Sequence, residues 1–323
     1  MISTPRAVLV TGCAGFIGSN FVRQFRRKFP KTAIIGIDDF STGRKDALDR
    51  AIKFYQGSIL NDKLLNKIFS KHRPEYIFHF AALPRVSYSV EQPVHTSEVN
   101  ILGTVKLLTK AKDYRAKRFI YSSSSSVYGG AKKLPTKESE NAPDPKSPYA
   151  VQKLAGEPFC KIFSELYGLD TVCLRYFNVF GPGQYGDSPY STVVSAWLES
   201  LYFPKKKMAF IEGNGNQSRD FCYVDNVVAA NILAMNSKKP LGGEMFNVAC
   251  GSRTTLKEVK QLIEQYSGRV LELQKRPPRI GDVLHTHADI SKARKRFGYS
   301  PAVDFKKGLK LTVAWFETRI SKD

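Results

Sequence analysis

The chain has 323 residues, of which 42% are hydrophobic and 12% aromatic, enough for one large core or two linked ones. No apolar run approaches the roughly 20 residues of a membrane helix, and residues 7–10 are too few for a signal-peptide core. The composition thus excludes membrane insertion and favours a cytoplasmic globular protein.

The net charge of +21 can attract anionic ligands, an acidic membrane surface or nucleic acid. Basic runs at 26–28 and 205–207 are more often solvated faces, so we expect no nucleic-acid partner. The cysteines are scattered without CxxC spacing: Cys13, Cys160, Cys173, Cys222 and Cys250. This pattern predicts neither a metal site nor a disulfide framework.

The first predicted element is a buried parallel strand at residues 6–10, followed by a glycine-rich turn and an amphipathic helix. The turn contains Gly12, Gly15, Phe16, Ile17 and Gly18. Glycines permit the tight turn and the close approach of a pyrophosphate. Backbone N–H groups and the positive end of the helix dipole then face the anion, so the segment predicts a dinucleotide site.

The second strand, at 33–37, ends in Asp38 and Asp39, about 20 residues past the glycine motif. An acid at this position accepts hydrogen bonds from the adenosine ribose hydroxyls. No arginine follows directly to receive a 2′-phosphate. The sequence therefore favours NAD over NADP.

Apolar strands recur at 76–82, 119–122 and 171–176, with helical segments between them, including 62–71 and 99–112. This alternation predicts an α/β fold with a Rossmann-type, doubly wound parallel sheet. We expect an NAD-binding domain at 1–180 and a smaller α+β substrate lobe at 181–323, with segments near 225–249 returning to the first domain. Ligands of such sheets bind beyond the carboxyl ends of the strands, where Asp38 and Ser124 fall.

A predicted helix begins with Ser147 as N-cap and Pro148 in its first turn. Tyr149 and Lys153 are spaced i, i+4 and share one face of that helix. A free phenol has a pKa of about 10, and lowering it by roughly three units takes on the order of 4 kcal/mol. Lys153 together with a cofactor cation is expected to supply this, so the pair predicts a general base.

The strand at 118–121 runs into the serine loop, residues 122–126. With the glycine turn and Tyr149/Lys153, the chain resembles the extended short-chain dehydrogenase/reductase family. Further matching segments cover nearly the whole chain: 79–82, Asn100 with 103–104, 175–182, 213–215, 218–221 and 279–282. This set is specific for nucleotide-sugar enzymes of the family.

The resemblance implies that Tyr149, Lys153 and Ser124 are catalytic and that NAD is tightly held. It implies a cofactor site made of Gly12, Gly15, Phe16, Ile17, Gly18, Asp38, Asp39, Ser58, Ile59, Phe80, Ala81, Ala82, Asn100, Ser122, Tyr149, Lys153 and Tyr176. The family usually has an aspartate at the position of Ser58, where it contacts the adenine amine. That contact is weaker here.

The serine loop separates reaction types within the family. Nucleotide-sugar 4,6-dehydratases carry Asp-Glu at the positions of Ser125 and Ser126, and UDP-glucuronate decarboxylases carry Glu at the second. Both acids are missing here, which leaves oxidation and re-reduction at C4. The chain thus resembles UDP-sugar 4-epimerases, and residues 219–226 and 281–289 resemble the branch that acts on N-acetylated sugars.

The same resemblance implies a set of substrate-binding residues: Ser124, Asn178, Phe210, Arg219, Arg279, Asp282 and Thr286. The two arginines match diphosphate ligands, for which a guanidinium fork is suited. Phe210 either stacks on uracil or fills a core strand position. Thr286 stands where a bulky tyrosine restricts bacterial-type epimerases to glucose and galactose, so UDP-GlcNAc and UDP-GalNAc are the implied substrates, with UDP-Glc and UDP-Gal tolerated.

Two alternatives remain open. One is a UDP-glucose or UDP-glucuronate 4-epimerase, which differs only in the sugar pocket. The other is a basic, non-catalytic relative that binds nucleic acid; loss of Tyr149, Lys153 or the glycines would favour it, and none is lost. The family also implies a homodimer formed through helices near 93–112 and 148–167.

Overall fold

The computed structural model describes residues 4–187, 191–204, 208–277 and 283–320. Its strands are β1 (Ala7–Thr11), β2 (Ala33–Asp38), β3 (Lys53–Gln56), β4 (Tyr76–His79), β5 (Arg118–Ser124), β6 (Thr171–Tyr176), β7 (Val179–Phe180), β8 (Phe210–Glu212), β9 (Ser218–Arg219), β10 (Cys222–Tyr223), β11 (Glu244–Val248), β12 (Thr254–Thr255) and β13 (Gln274–Arg276).

The helices are α1 (Phe16–Lys28), α2 (Asp62–His72), α3 (Val86–Glu91), α4 (Pro93–Ser97), α5 (Gly103–Asp113), α6 (Pro148–Tyr167), α7 (Val193–Tyr202), α8 (Val224–Met235), α9 (Leu256–Ser267), α10 (Ser291–Phe297) and α11 (Phe305–Ile320). A π-helical stretch, Glu98–Leu102, precedes α5, and a 3-10 turn, Ser125–Tyr128, follows β5. None of the helices in the described ranges is long and apolar enough to span a bilayer.

The central sheet has seven strands in the order β11-β6-β5-β4-β1-β2-β3, and every pairing is parallel. The order reverses direction at β1, with β2 and β3 on one side and β4, β5, β6 and β11 on the other. The predicted Rossmann-type, doubly wound sheet is therefore confirmed. Ligands bind such sheets at the carboxyl ends next to this reversal.

Both faces of the sheet are covered by helices. Side chains alternate along β1, so that Val8 and Val10 join the core under α1 and α8, whereas Leu9 joins the core under α2, α5 and α6. Phe21 of α1 is fully buried, and such a side chain contributes roughly 1.5–3 kcal/mol.

A third apolar core lies in the C-terminal part of the chain. It packs α7, α9 and α11 together through buried side chains that include Trp197, Ile263 and Phe316. From the same part of the chain, β11 pairs with β6 in the central sheet, and α8 packs beside α1.

The predicted strand at 76–82 ends earlier than expected, at His79. The next residues leave the sheet because the Ala81 N–H turns to the Thr11 hydroxyl, at 3.1 Å. Residues 80–82 therefore form a loop above the end of β1.

Candidate active site

The turn between β1 and α1 is closely packed on its own backbone. Gly12 has a φ of +67°, and a Cβ there would lie 2.7 Å from the Ala81 nitrogen. A Cβ at Gly18 would lie 2.1 Å from the Gly12 carbonyl oxygen. Only glycine fits both positions, and the uncovered N–H groups at the start of α1 form a cradle suited to a pyrophosphate.

Two carboxylates stand at the end of β2, beside this cradle. Asp38 accepts the Ala14 N–H at 2.9 Å and the Phe40 N–H at 2.8 Å. Burial raises the pKa of the Asp38 carboxyl, and these backbone N–H groups oppose the shift. Asp39 accepts the Ser41 N–H at 2.9 Å. Both acids line the same cavity as the glycines, so the residues present fit an adenosine dinucleotide.

A cavity of about 790 Å³ extends from the cradle across the carboxyl ends of the strands to the C-terminal core. The predicted site residues that line it are Gly12, Gly15, Phe16, Ile17, Gly18, Asp38, Asp39, Ile59, Phe80, Ala81, Ala82, Ser124, Tyr149, Tyr176, Asn178, Arg219 and Thr286. Residues predicted from nine separate stretches of sequence thus meet around one space.

Tyr149 lies in the first turn of α6, which begins as predicted. The Ser147 hydroxyl accepts the Ala150 N–H at 3.2 Å, and Pro148 occupies the first turn. Burial raises the pKa of the Tyr149 phenol to about 12, while hydrogen bonding by Ser124 opposes the rise.

Lys153 lies behind the cavity wall. Its Nζ donates to the Ser122 carbonyl at 2.8 Å, and burial lowers the pKa of this ammonium to about 8. The expectation that Lys153 and a cofactor cation together lower the pKa of Tyr149 concerns the enzyme with its cofactor and stays a prediction. Burial disfavours the charged form of each group, and for the phenol it outweighs the stabilisation from Ser124.

Four other predicted residues do not line the cavity. Asn100 braces the loop after β4, since it accepts the Leu83 N–H at 2.8 Å and donates to the Leu83 carbonyl at 3.1 Å. The Ser122 hydroxyl hydrogen-bonds the Tyr176 hydroxyl at 3.2 Å. The Ser58 hydroxyl accepts the Leu60 N–H at 3.2 Å.

Phe210 is the fourth, and its ring stacks under the Arg276 guanidinium, 3.8 Å from the ring centroid. This placement outside the cavity does not support stacking on uracil. Arg279 and Asp282 lie outside the described residues.

The other wall of the cavity carries Asn178, Arg219 and Thr286. Asn178 has a φ of +28°, an uncommon backbone conformation for a residue with a side chain. Its amide donates to the Thr286 hydroxyl at 3.1 Å, and the same hydroxyl accepts the Asp220 N–H at 3.0 Å. The Arg219 Nη1 donates to the Leu284 carbonyl at 3.1 Å.

Asp220 holds this wall together, and no role was predicted for it beyond its place in the segment 218–221. Its buried carboxylate accepts the N–H groups of Cys250, Gly251 and Ala288, at 3.0, 3.1 and 3.1 Å. Burial raises the pKa of Asp220 to about 7 against these bonds. Asp220 lies in the segment 218–221, which matches the family, and this match is the sequence signal that could have indicated its role.

Further lining residues were not predicted. Arg85 lies at the start of α3, and Tyr185 and His285 lie on loops. Loop residues of this kind carry no periodic signal in one sequence. No role was predicted for His79 beyond its place in the segment 79–82. Its ring hydrogen-bonds the hydroxyls of Thr11 and Thr104, at 2.8 and 2.9 Å, and burial lowers its pKa to about 3.

Residues 8–249 match the NAD dependent epimerase/dehydratase family. The chain therefore belongs to this family, and its cofactor is NAD. It is 35% identical to a putative UDP-glucose 4-epimerase of Methanocaldococcus jannaschii over 312 residues, which covers 96% of this chain and 98% of the relative.

Solved structures agree with this assignment. The UDP-glucose 4-epimerase of Thermotoga maritima with UDP-glucose superposes with a TM-score of 0.91 at 38% identity, over 97% of this chain and 99% of that one. The UDP-N-acetylglucosamine 4-epimerase of Methanobrevibacter ruminantium M1, in complex with UDP-N-acetylmuramic acid, gives 0.90 at 35% identity, over 98% and 100%.

Proposed function

We propose that this UDP-sugar 4-epimerase interconverts UDP-GlcNAc and UDP-GalNAc and also accepts UDP-Glc and UDP-Gal. The observation that carries the proposal is the meeting of Tyr149 and Ser124 on one cavity with the glycine cradle, while serines replace both acids at 125 and 126. The named relatives, which are UDP-glucose and UDP-N-acetylglucosamine 4-epimerases, support it.

Tyr149 is assigned the proton transfer at the sugar O4, with Ser124 as its hydrogen-bonding partner. When bound, NAD supplies the acceptor and donor for the hydrogen at C4. Lys153 uses one of its three N–H donors on the Ser122 carbonyl, which leaves two for the nicotinamide ribose. The phenolate then takes the hydroxyl proton and later returns it, so no second substrate is needed.

The phenol must become far more acidic than it is in this structure. Its pKa of about 12 has to fall by roughly five units to reach neutrality, which corresponds to about 7 kcal/mol. A unit charge at about 4 Å contributes about 4 kcal/mol at an effective dielectric constant of 20. Two cations, that of Lys153 and that of the oxidised cofactor, are therefore of the required size.

The serine loop limits the reaction to C4. Ser125 and Ser126 line the cavity next to Ser124, and neither can act as the acid or base that elimination or decarboxylation requires. The hydrogen taken from C4 is thus returned to the same carbon. Return on the opposite ring face requires the sugar to turn over while its nucleotide stays anchored.

We assign the nucleotide anchor to the substrate lobe, residues 181–323, and the cofactor to the domain at 1–180. The third core and the cavity position of Arg219 support this division, and the pairing of β11 with β6 supports the return of residues near 225–249. Arg279 remains a predicted ligand of the diphosphate, and Asp282 remains a predicted substrate-binding residue.

Thr286 is assigned the choice of sugar. Its short side chain lines the cavity beside Asn178, and a tyrosine there would fill the space that an N-acetyl group needs. Thr286→Tyr should lower activity on UDP-GlcNAc by at least about tenfold relative to UDP-Glc. Thr286→Ala is the control, because it also loses the hydroxyl bonds but leaves the space. Equal selectivity in both variants contradicts the assignment.

An exposed apolar stripe supports a homodimer. It runs over α3, α4 and α6 through Val90, Val94, Val151, Ile162 and Leu166. Exposed apolar side chains on helices that pack together suit a partner helix pair. Sedimentation of the purified protein tests it, with a monomer at micromolar concentration as the contrary result. The free cysteines of the described chain suit the reducing cytoplasm, where we place the enzyme.

The direct test of the function is turnover of UDP-GlcNAc, UDP-Glc and UDP-glucuronate in separate reactions without added NAD. We expect epimerisation of the first two, with UDP-GlcNAc at least as fast. A preference for the uronic acid favours the glucuronate alternative, and no turnover of any UDP-sugar contradicts the proposal.

A further inference from the structure

A buried ion pair lies behind the catalytic end of α6, and the proposed chemistry does not use it. Glu157 and Arg175 are 3% and 1% exposed. The Arg175 Nε donates to Glu157 Oε1 at 2.8 Å, and Nη2 donates to Oε2 at 2.6 Å. Desolvation offsets most of the attraction in a pair this deep, so stability alone is a weak reason for it.

Glu157 continues the spacing of Tyr149 and Lys153 along α6, so the three side chains share one face. Two of them hydrogen-bond consecutive serines at the end of β5, and the third, Tyr149, lines the cavity together with the next serine, Ser124. Lys153 donates to the Ser122 carbonyl at 2.8 Å, and Glu157 accepts the Ser123 hydroxyl at 2.6 Å. Helix and strand are therefore joined at two successive positions directly before Ser124.

Arg175 holds the pair from the neighbouring strand. It is the register partner of Ser123, so the guanidinium and the Ser123 hydroxyl approach Glu157 side by side. The guanidinium also lies 4.7 Å from the ring centroid of Tyr128, which ends the 3-10 turn after Ser124 and lines the cavity. The pair thus contacts the helix of the base, the strand of Ser124 and the turn that follows.

We propose that Glu157 and Arg175 are positioning residues for the epimerase reaction. They fix the position of α6 along β5 and thereby the placement of the Tyr149 phenol beside Ser124. A misplacement of about 1 Å at a reacting group can lower a rate about 100-fold, so this placement needs rigid support. The kinetic part of the inference rests on the proposed function.

The test compares two carboxylate-to-amide variants. Glu157→Gln removes the charge and keeps the shape. Asp170→Asn is the matched control, because the Arg118–Asp170 pair, at 2.6 Å, lies at the start of β5, the end far from the cavity. Both should lower Tm. Only Glu157→Gln should lower kcat, by at least about tenfold, with KM and NAD content changed by less than about threefold.

The direction in which the pH profile of kcat shifts distinguishes a displaced phenol from the mere loss of the Glu157 charge. Loss of the Glu157 charge lowers the pKa of Tyr149 by electrostatics, whereas displacement of the phenol from Ser124 raises it. The proposal predicts that the acid limb of kcat moves to higher pH. The pKa of the Tyr149 phenol can also be measured directly, from the ultraviolet difference spectrum between a protein with Tyr149 and its Tyr149→Phe variant. This pKa should likewise be higher in Glu157→Gln than in the wild type. Lys153 and two cations that line the same cavity as the phenol, Arg85 and Lys146, are present in both proteins.

Three results overturn the proposal: unchanged kcat in folded Glu157→Gln, an equal loss in Asp170→Asn, or an acid limb that moves to lower pH. If Glu157→Gln does not fold, Ser123→Ala decides. A several-fold fall in kcat at constant KM supports the proposal, and an unchanged profile ends it. A wild-type protein that turns over no UDP-sugar contradicts the proposed function instead, and the phenol titration still tests the positioning.

Discussion

Replacement of Gly12 by alanine tests whether the glycine turn is shaped for NAD or is merely a tight turn. The matched variant is Gly168→Ala, at the residue that follows α6. Both glycines have left-handed backbones, with φ of +67° and +68°. A Cβ at Gly168 meets nothing within 4 Å, whereas one at Gly12 meets backbone atoms of the loop after β4.

Backbone strain and overpacking lower the free energy of unfolding separately in these variants. Alanine in the left-handed region costs roughly 1–2 kcal/mol, and both variants incur this. At Gly12 the Ala81 nitrogen, 2.7 Å from the new Cβ, must also move by about 0.7 Å to reach an ordinary contact of 3.4 Å. Backbone atoms cannot swing aside, so overpacking adds about 1–3 kcal/mol.

The displaced loop lies on the cofactor cavity, so NAD binding should weaken as well. We expect a loss of at least about 100-fold for Gly12→Ala, equal to about 2.8 kcal/mol, and no loss for Gly168→Ala. Urea unfolding gives the free energies, and cofactor released from denatured, purified protein gives the NAD content. If Gly12→Ala keeps its NAD and loses no more stability than Gly168→Ala, the cradle assignment is wrong.

Two further predictions concern single side chains. Tyr149→Phe should lower kcat by about 100- to 10,000-fold with NAD content unchanged, because it removes only the proton carrier; near-normal turnover in steady-state assays would exclude Tyr149 as the base. Burial raises the pKa of Asp220 to about 7. Its protonated carboxyl therefore stabilises the fold at low pH, and this contribution, on the order of 4 kcal/mol, is lost as pH rises from about 4 through 7. Asp220→Asn should flatten the fall in unfolding free energy over this range in urea titrations, and an unaltered slope would show that Asp220 does not titrate there.

Local patterns accounted for most of what the sequence could predict. The glycine turn, the acids after β2 and the helix that begins at Ser147 are each encoded within a few neighbouring residues, and alternation of strands and helices is sufficient to indicate a doubly wound sheet. The strand order confirmed this fold.

Long-range contacts could not be predicted in the same way. Asp220 bonds residues 30 to 68 positions away, and Asn100 braces Leu83, so their partners depend on tertiary packing. Lys153 and a cofactor cation are predicted to lower the pKa of Tyr149, but the opposing effect of burial on this pKa depends on tertiary packing and could not be read from the sequence. The placement of Phe210 under Arg276 has the same origin.

The most direct test of the account follows the hydrogen at C4 of the sugar. UDP-GlcNAc labelled with deuterium at C4 is incubated in ordinary water with purified enzyme and no added NAD, and the UDP-GalNAc formed is analysed by NMR. The account predicts that the product keeps its deuterium at C4, because the hydrogen passes to bound NAD and returns from it without exchange with water. Deuterium lost to solvent, or product formed only when NAD is supplied in each turnover, contradicts it.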